Sequence, residues 1–145
     1  QTNYFIAIGD SAIRKNSYEQ LKIQNRFPIN AIHPSAVIDT TATLATAGIM
    51  IAANATINSL ATIGEGAICN TGCIIEHECA IGNFSHIGPG AVLCGNVKIS
   101  DGAFVGAGAV IRQGIHIGKN SMIGAGAVVV KDVADNAKVV GVPAK

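Results

Sequence analysis

A rhythm of six residues constrains this chain more than any other feature. From Ile63 to Val129 every sixth position is aliphatic or cysteine, through Cys69, Ile75, Ile81, Ile87, Leu93, Ile99, Val105, Ile111, Ile117 and Ile123. Two positions before each of these the residue is mostly small, as at Ala61, Ala67, Cys73, Cys79, Ser85 and Ala91. Two inward positions one residue apart match the alternation of a short strand. Three positions after each apolar residue comes Gly or Asn, the residues that best tolerate the left-handed backbone of a tight corner. A strand of this kind every six residues predicts a parallel β-helix, with three strands closing a triangular coil of roughly 18 residues. Each coil then rests on the last and buries one continuous core. The coils are read from about Ile32 to Val133.

The rhythm breaks its own corner rule at two adjacent places, Glu78 and Phe84, within an otherwise regular run from Gly66 to Gly126. Breaks in a strongly regular sequence mark functional or strained sites. Glu76 also stands where Gly64, Gly82 and Gly88 recur. The segment Ile75-Glu76-His77-Glu78-Cys79 is therefore the first candidate site, while Phe84 suits contact with a neighbouring subunit. Early repeats are looser: Ile32, Ile38 and Leu44 keep the six, and Thr46 to Met50 then adds one residue, read as a bulge or small loop.

Composition agrees with a narrow core. The 145 residues hold 17 glycines, no Trp and few aromatics, which suits a column filled by Ile, Val and Ala. A net charge of +1 argues against a nucleic-acid surface. No run reaches the ~18 apolar residues of a membrane span, and no signal peptide is visible. Of four cysteines, Cys69, Cys73 and Cys79 fall in inward slots and Cys94 faces outward. Their spacing matches no zinc pattern, and reduced thiols fit the cytosol.

Before the coils, Tyr4 to Ile8 reads as a buried strand. A helix follows to about Asn25, capped by Asp10 or Ser11, with Ile13, Leu21 and Ile23 on its apolar positions and Arg14, Lys15, Glu19 and Lys22 solvated. Strand, glycine turn and helix N-terminus form a workable anion site around Gly9, or an ordinary connection. Phe27-Pro28 ends the helix and Ile29 to Ile32 leads into the column. His33 and His116 read as structural and surface histidines. Lys119 and Lys131 are candidate phosphate contacts or solvated lysines. The C-terminal Val139 to Lys145 should cover the last coil, whose strand edges would otherwise stand unpaired.

His77 beside a carboxylate is a possible general base, with Glu78 or Glu76 orienting the imidazole. The matching reaction is attack of an amine or hydroxyl on an activated acyl group. Gly95, one coil on, leaves open space beside His77 and offers a backbone N–H to an oxyanion. Asn70 is read on the face leading to that corner. Small corners at Ala107-Gly108 and Ala125-Gly126 should stack into a shallow groove.

The run Ile74-Ile75-Glu76-His77-Glu78-Cys79-Ala80-Ile81-Gly82 through His86, followed by Leu93-Cys94-Gly95-Asn96-Val97-Lys98-Ile99, strongly resembles the PglD-like nucleotide-sugar N-acetyltransferases, a branch of the sialic-acid O-acetyltransferase family. Phe5 to Asp10, Ile13-Arg14-Lys15 and Gly141-Val142-Pro143-Ala144-Lys145 are similar to it as well. The resemblance implies a mainly β protein with a left-handed parallel β-helix, cytoplasmic and homotrimeric, with active sites between subunits. It implies acetyl transfer from acetyl-CoA to the 4-amino group of a UDP-4-amino-4,6-dideoxy-N-acetylhexosamine, without a metal. By position it implies His77 as base and Glu78 as the residue that tunes it. It places His86, Asn70, Gly95, Ala107 and Ala125 at acetyl-CoA, and Gly9 in the nucleotide-sugar pocket. Members of the family carry a strand and a glycine-rich loop ahead of the segment that matches Tyr4. Residues 1–31 are therefore expected to be the remnant of an α/β nucleotide-sugar-binding domain, and 32–145 the acetyltransferase domain with its cap. An O-acetyltransferase acting on a sialic acid, or an N-acetyltransferase acting on a GDP-sugar, fits the same base. A non-catalytic trimeric scaffold is the contrasting reading. A β-helix carbonic anhydrase would need His77, His86 and His116 to converge, which their spacing does not favour.

Overall fold

The computed structural model describes residues 3–145; the first two residues of the expected 1–31 segment lie outside it. One helix precedes a left-handed parallel β-helix. Among the described residues, eighteen two-residue strands, from Ala31–Ile32 to Lys138–Val139, form the column. They stack into three flat faces of seven, six and five strands. The first face runs from Ala31–Ile32 to Lys138–Val139 and includes His86–Ile87. The second runs from Val37–Ile38 to Val128–Val129 and includes Ile74–Ile75. The third runs from Thr43–Leu44 to His116–Ile117 and includes Ala80–Ile81.

The two inward slots do what their sizes dictate. The aliphatic slot is buried almost throughout, as at Ile75, Ile87, Leu93 and Ile111, and the small slot beside it is equally closed, as at Ala61, Cys73, Ala91 and Ala109. Where the small slot is Ser85 or Ser121, the buried hydroxyl donates to the carbonyl of Gly82 or Gly118 at 2.7 Å, so neither hydroxyl is stranded. Every corner from Gly66 to Gly126 has positive φ, including Glu78 at 61° and Phe84 at 56°. The corner rule was thus a backbone rule, and those two side chains obey it at a cost of roughly 1–2 kcal/mol each relative to Gly.

Register confirms the extra residue early in the chain. Met50 pairs with Ala31, one residue further back than the spacing that joins Ile68 to Met50. The insertion carries Ala47, which is buried against Ile6, Tyr18 and Phe84. It is where the column receives the helix.

That helix, α1, spans Ser11–Ile23, with the Asp10 carboxylate accepting from the Ile13 N–H at 2.9 Å. Its buried row is Arg14 and Tyr18, with Leu21 packed against the same cluster. Ile13 and Ile23 are exposed. Arg14 was expected in solvent and is instead closed off, because the carbonyl oxygens of Gly66, Phe84 and Ser85 on the column receive its guanidinium. Tyr4 to Ile8 is not a strand. It is extended, and its one ladder-like bond is the Ile29 N–H donating to the Tyr4 carbonyl at 3.0 Å; a strand needs a partner along its length. Phe84 does not face outward. Its ring meets Tyr18 edge-on at 5.2 Å and covers the Cα of Gly66, so this broken corner docks α1.

At the far end Lys138–Val139 extends the first face. The tail then turns so that Ala144 N–H donates to the Val128 carbonyl and Val128 N–H to the Gly141 carbonyl. The last strands are therefore covered, as the sequence suggested.

Candidate active site

His77 and Glu78 occupy the corner between the second and third faces. The His77 Nδ1 and the Glu78 Oε2 lie 3.1 Å apart, with the two side chains about half exposed, at 48% and 58%. The positive φ at Glu78 swings its carboxylate back alongside its neighbour. With Nδ1–H donating to the carboxylate, Nε2 keeps its lone pair. That nitrogen lies over Gly95, where an added methyl group would overlap the ring. Glycine at 95 is therefore required by the position of the imidazole. Asn96 N–H donates to the His77 carbonyl at 2.8 Å, which fixes the corner from the next coil. Glu76 lies one residue before the corner, and its carbonyl accepts from Cys79 N–H at 3.4 Å.

The other candidates gather elsewhere. His86 projects from the first face, half-buried. Its Nε2 is 3.1 Å from the Asn70 Nδ2 and its Nδ1 is 3.3 Å from the Gly9 carbonyl. Asn70 follows Ile68–Cys69, so it belongs to the first face and not to the face leading to His77. Its Oδ1 accepts from Thr71 N–H at 2.8 Å. Burial holds the His86 imidazole below its usual range; the Gly9 carbonyl acts against that and Arg14 reinforces it. His86 is thus kept neutral near pH 7, with Nδ1–H toward Gly9 and Nε2 accepting from Asn70. Phe104 closes one side of the ring, edge-on at 5.1 Å.

Ala107 and Ala125 are exposed at the corner between the first and second faces. They stack through the Gly126 N–H, which donates to the Ala107 carbonyl at 2.8 Å. A Cβ added at Gly72, Gly90, Gly108 or Gly126 meets nothing within 4 Å. The column of small corners is therefore an open track, beginning beside Asn70.

Between α1 and the first face lies an open groove of about 1190 Å³, lined by Gly9, Asp10, Ser11, Lys15, His86, Phe104 and Lys119 among others. Gly9 and His86 thus share a wall. At the N-terminus of α1 the Asp10 carboxylate accepts from the Ile13 N–H, which takes one of the donors an anion would use. Lys119 lines the groove; Lys131 lies at the C-terminal end.

Within one chain, then, the structure brings together Gly9, Asn70 and His86, and separately His77, Glu78 and Gly95. The two groups sit on different faces of the prism. His116 is on the third face, its Nε2 2.8 Å from the Ser100 Oγ, so the three histidines do not converge. Among the described residues no group of three or more His, Cys, Asp or Glu is placed to hold a metal ion. Cys69 and Cys79 are poor nucleophiles. Burial pushes the Cys79 thiol up to about 11, and hydrogen bonding to Cys73 together with burial raises Cys69. Sequence reasoning missed Arg14 and the groove beside it. The signal was the spacing of Arg14, Tyr18 and Leu21, one face of a helix.

Comparison with known proteins follows the geometry. The family described as bacterial transferase hexapeptide (six repeats) matches residues 96–131. A single-residue variant of perosamine N-acetyltransferase from Caulobacter crescentus, solved with CoA and GDP-perosamine, is 38% identical with a TM-score of 0.97, the match covering 99% of this chain and 68% of that one. The acetyltransferase domain of PglB from Neisseria gonorrhoeae, solved with acetyl coenzyme A, is 34% identical with a TM-score of 0.97, over 100% of this chain and 70% of that one. WeeI from Acinetobacter baumannii is 29% identical with a TM-score of 0.94, over 100% and 72%.

Proposed function

Because this chain belongs to the hexapeptide-repeat acetyltransferases, alongside the perosamine N-acetyltransferase and the PglB acetyltransferase domain, we propose that it moves an acetyl group from acetyl-CoA to the amine of a nucleotide-linked amino sugar. The acceptor we favour is the 4-amino group of a UDP-4-amino-4,6-dideoxy-N-acetylhexosamine. The observation that carries this reading is the His77 imidazole, tied to Glu78 through Nδ1 and open at Nε2 above Gly95.

In the proposed step the sugar amine attacks the thioester carbonyl carbon. His77 Nε2 takes the proton from that nitrogen as the C–N bond forms. The C–S bond breaks, and the CoA sulfur leaves with the proton that His77 returns. Glu78 holds the ring in the tautomer that leaves Nε2 free and stabilises the imidazolium. The corner N–H of Gly95 is suited to the oxyanion. CoA would follow the open track of Ala107 and Ala125 toward Asn70 and His86. The nucleotide sugar would occupy the groove at Gly9, in keeping with residues 1–31 as part of a nucleotide-sugar-binding unit.

These two half-sites lie on different faces, so a complete site requires His77 from one copy and the first face from another. A homotrimer supplies that pairing three times over. A GDP-linked acceptor is the second reading, favoured by the relative bound to GDP-perosamine.

The test is acetylation of a panel of UDP- and GDP-linked amino sugars, followed by thiol release. His77→Ala should lower kcat by about 10²–10⁴-fold, the usual worth of a general base. An unchanged rate in that variant would remove His77 from the chemistry, and acetylation of GDP-sugars alone would replace the acceptor.

A further inference from the structure

Arg14 is 1% exposed, and no carboxylate among the described residues pairs with it. Instead it satisfies itself on main-chain oxygens. Nε donates to Gly66 at 2.8 Å, Nη1 to Ile8 at 2.9 Å and to Gly9 at 2.8 Å, and Nη2 to Phe84 at 2.7 Å and to Ser85 at 3.3 Å. A guanidinium has five N–H donors in a rigid fork, and here five carbonyls receive them. Burial lowers its pKa to about 10, with Asp10 acting in the opposite sense, so it remains a cation at neutral pH. Keeping a cation in such a place is costly, and a hydrophobic residue could have docked the helix as well.

What the fork touches accounts for the cost. The Gly9 carbonyl it fixes is the one that accepts from His86 Nδ1. The Phe84 and Ser85 carbonyls it fixes immediately precede His86 in the chain. Arg14 therefore clamps both the acceptor of the His86 ring and the backbone that carries it.

We infer that Arg14 is a positioning residue, which sets the His86 tautomer and through it the amide of Asn70. The sequence of bonds has one polarity. Gly9 C=O accepts from His86 Nδ1–H, and His86 Nε2 accepts from Asn70 Nδ2–H. Asn70 Oδ1 is taken by Thr71 N–H. The second Asn70 amide hydrogen has no partner among the described residues, so Asn70 keeps a donor and not an acceptor to offer. A donor suits a carbonyl oxygen of the acyl group. The catalytic consequence rests on the acetyl-transfer reading above; the tautomer does not.

The experiment compares the full chain with Arg14→Met, Arg14→Lys and, as a packing control, Tyr18→Leu. The His86 ring nitrogens are followed by NMR, and kcat and KM are measured with acetyl-CoA and the accepted amino sugar. In the parent protein Nδ1 should be the protonated nitrogen. Arg14→Met should give a mixture of tautomers and a kcat lowered about 10- to 100-fold, the scale of a misplaced reactant, with KM for acetyl-CoA changed far less. Arg14→Lys keeps the charge but reaches from one point, so it should lose the tautomer as well and guards against a Met variant that fails to fold. Tyr18→Leu should lower the melting temperature with the tautomer intact. An Nε2-protonated His86 in the parent would overturn the inference. So would ring nitrogens unchanged in a folded Arg14 variant, which would reduce Arg14 to a helix anchor. Failure of the parent to acetylate any amino sugar would sink the function proposed above while leaving the nitrogen spectra to decide this point.

Discussion

Glu78 is the residue at which structure and chemistry compete most openly. It holds a positive φ of 61°, a conformation that costs a side chain and costs glycine little. The return is a carboxylate 3.1 Å from His77 Nδ1. Glu78→Gly should therefore stabilise the column by about 0.5–1 kcal/mol while slowing acetyl transfer, read by chemical denaturation beside steady-state kinetics. A variant that is both less stable and fully active would show that the carboxylate supports the fold and not the base. Phe84 holds a similar φ for a different reason, since its ring is closed against Tyr18. Two breaks in one sequence rule thus have two causes. The residues alone separated one of them, because a histidine beside a carboxylate suggests chemistry while an aromatic at a corner does not say what covers it.

At the scale of elements, the column was legible and the helix interface was not. Inward slots, corner positions and the inserted residue before Met50 all follow from a period that repeats many times, so each coil tests the next. The helix had only three turns to declare its buried face, and one member of that face is charged. Hydropathy alone sends Arg14 to solvent; only its row with Tyr18 and Leu21 points inward. Tyr4 to Ile8 was misread for a related reason. An apolar run shows that a segment is buried but not that a partner strand exists to pair with it. If the aromatic contact between α1 and the corner holds the helix, Phe84→Ala should cost about 3–5 kcal/mol. Proteolysis should then cut within α1 before it cuts the coils. Equal protection of α1 in that variant would assign the docking to Arg14 alone.

For the molecule as a whole, the decisive fact is separation. The imidazole over Gly95 and the chain of bonds joining Gly9, His86 and Asn70 stand on different faces of one rigid prism, and a column of stacked coils cannot fold to bring them together. The six-residue period does not show this, because positions modulo six locate a corner but say nothing of which copy lies across from it; only the family resemblance implied sites between subunits. Chemistry between the two groups therefore depends on assembly. Co-expression of His77→Ala with Asn70→Ala, each inactive alone, measures that dependence directly. Random assortment should restore about a quarter of the parent rate, since half of the copies bring an intact base and half an intact first face. A rate no greater than that of the two variants prepared separately would contradict a site shared between chains.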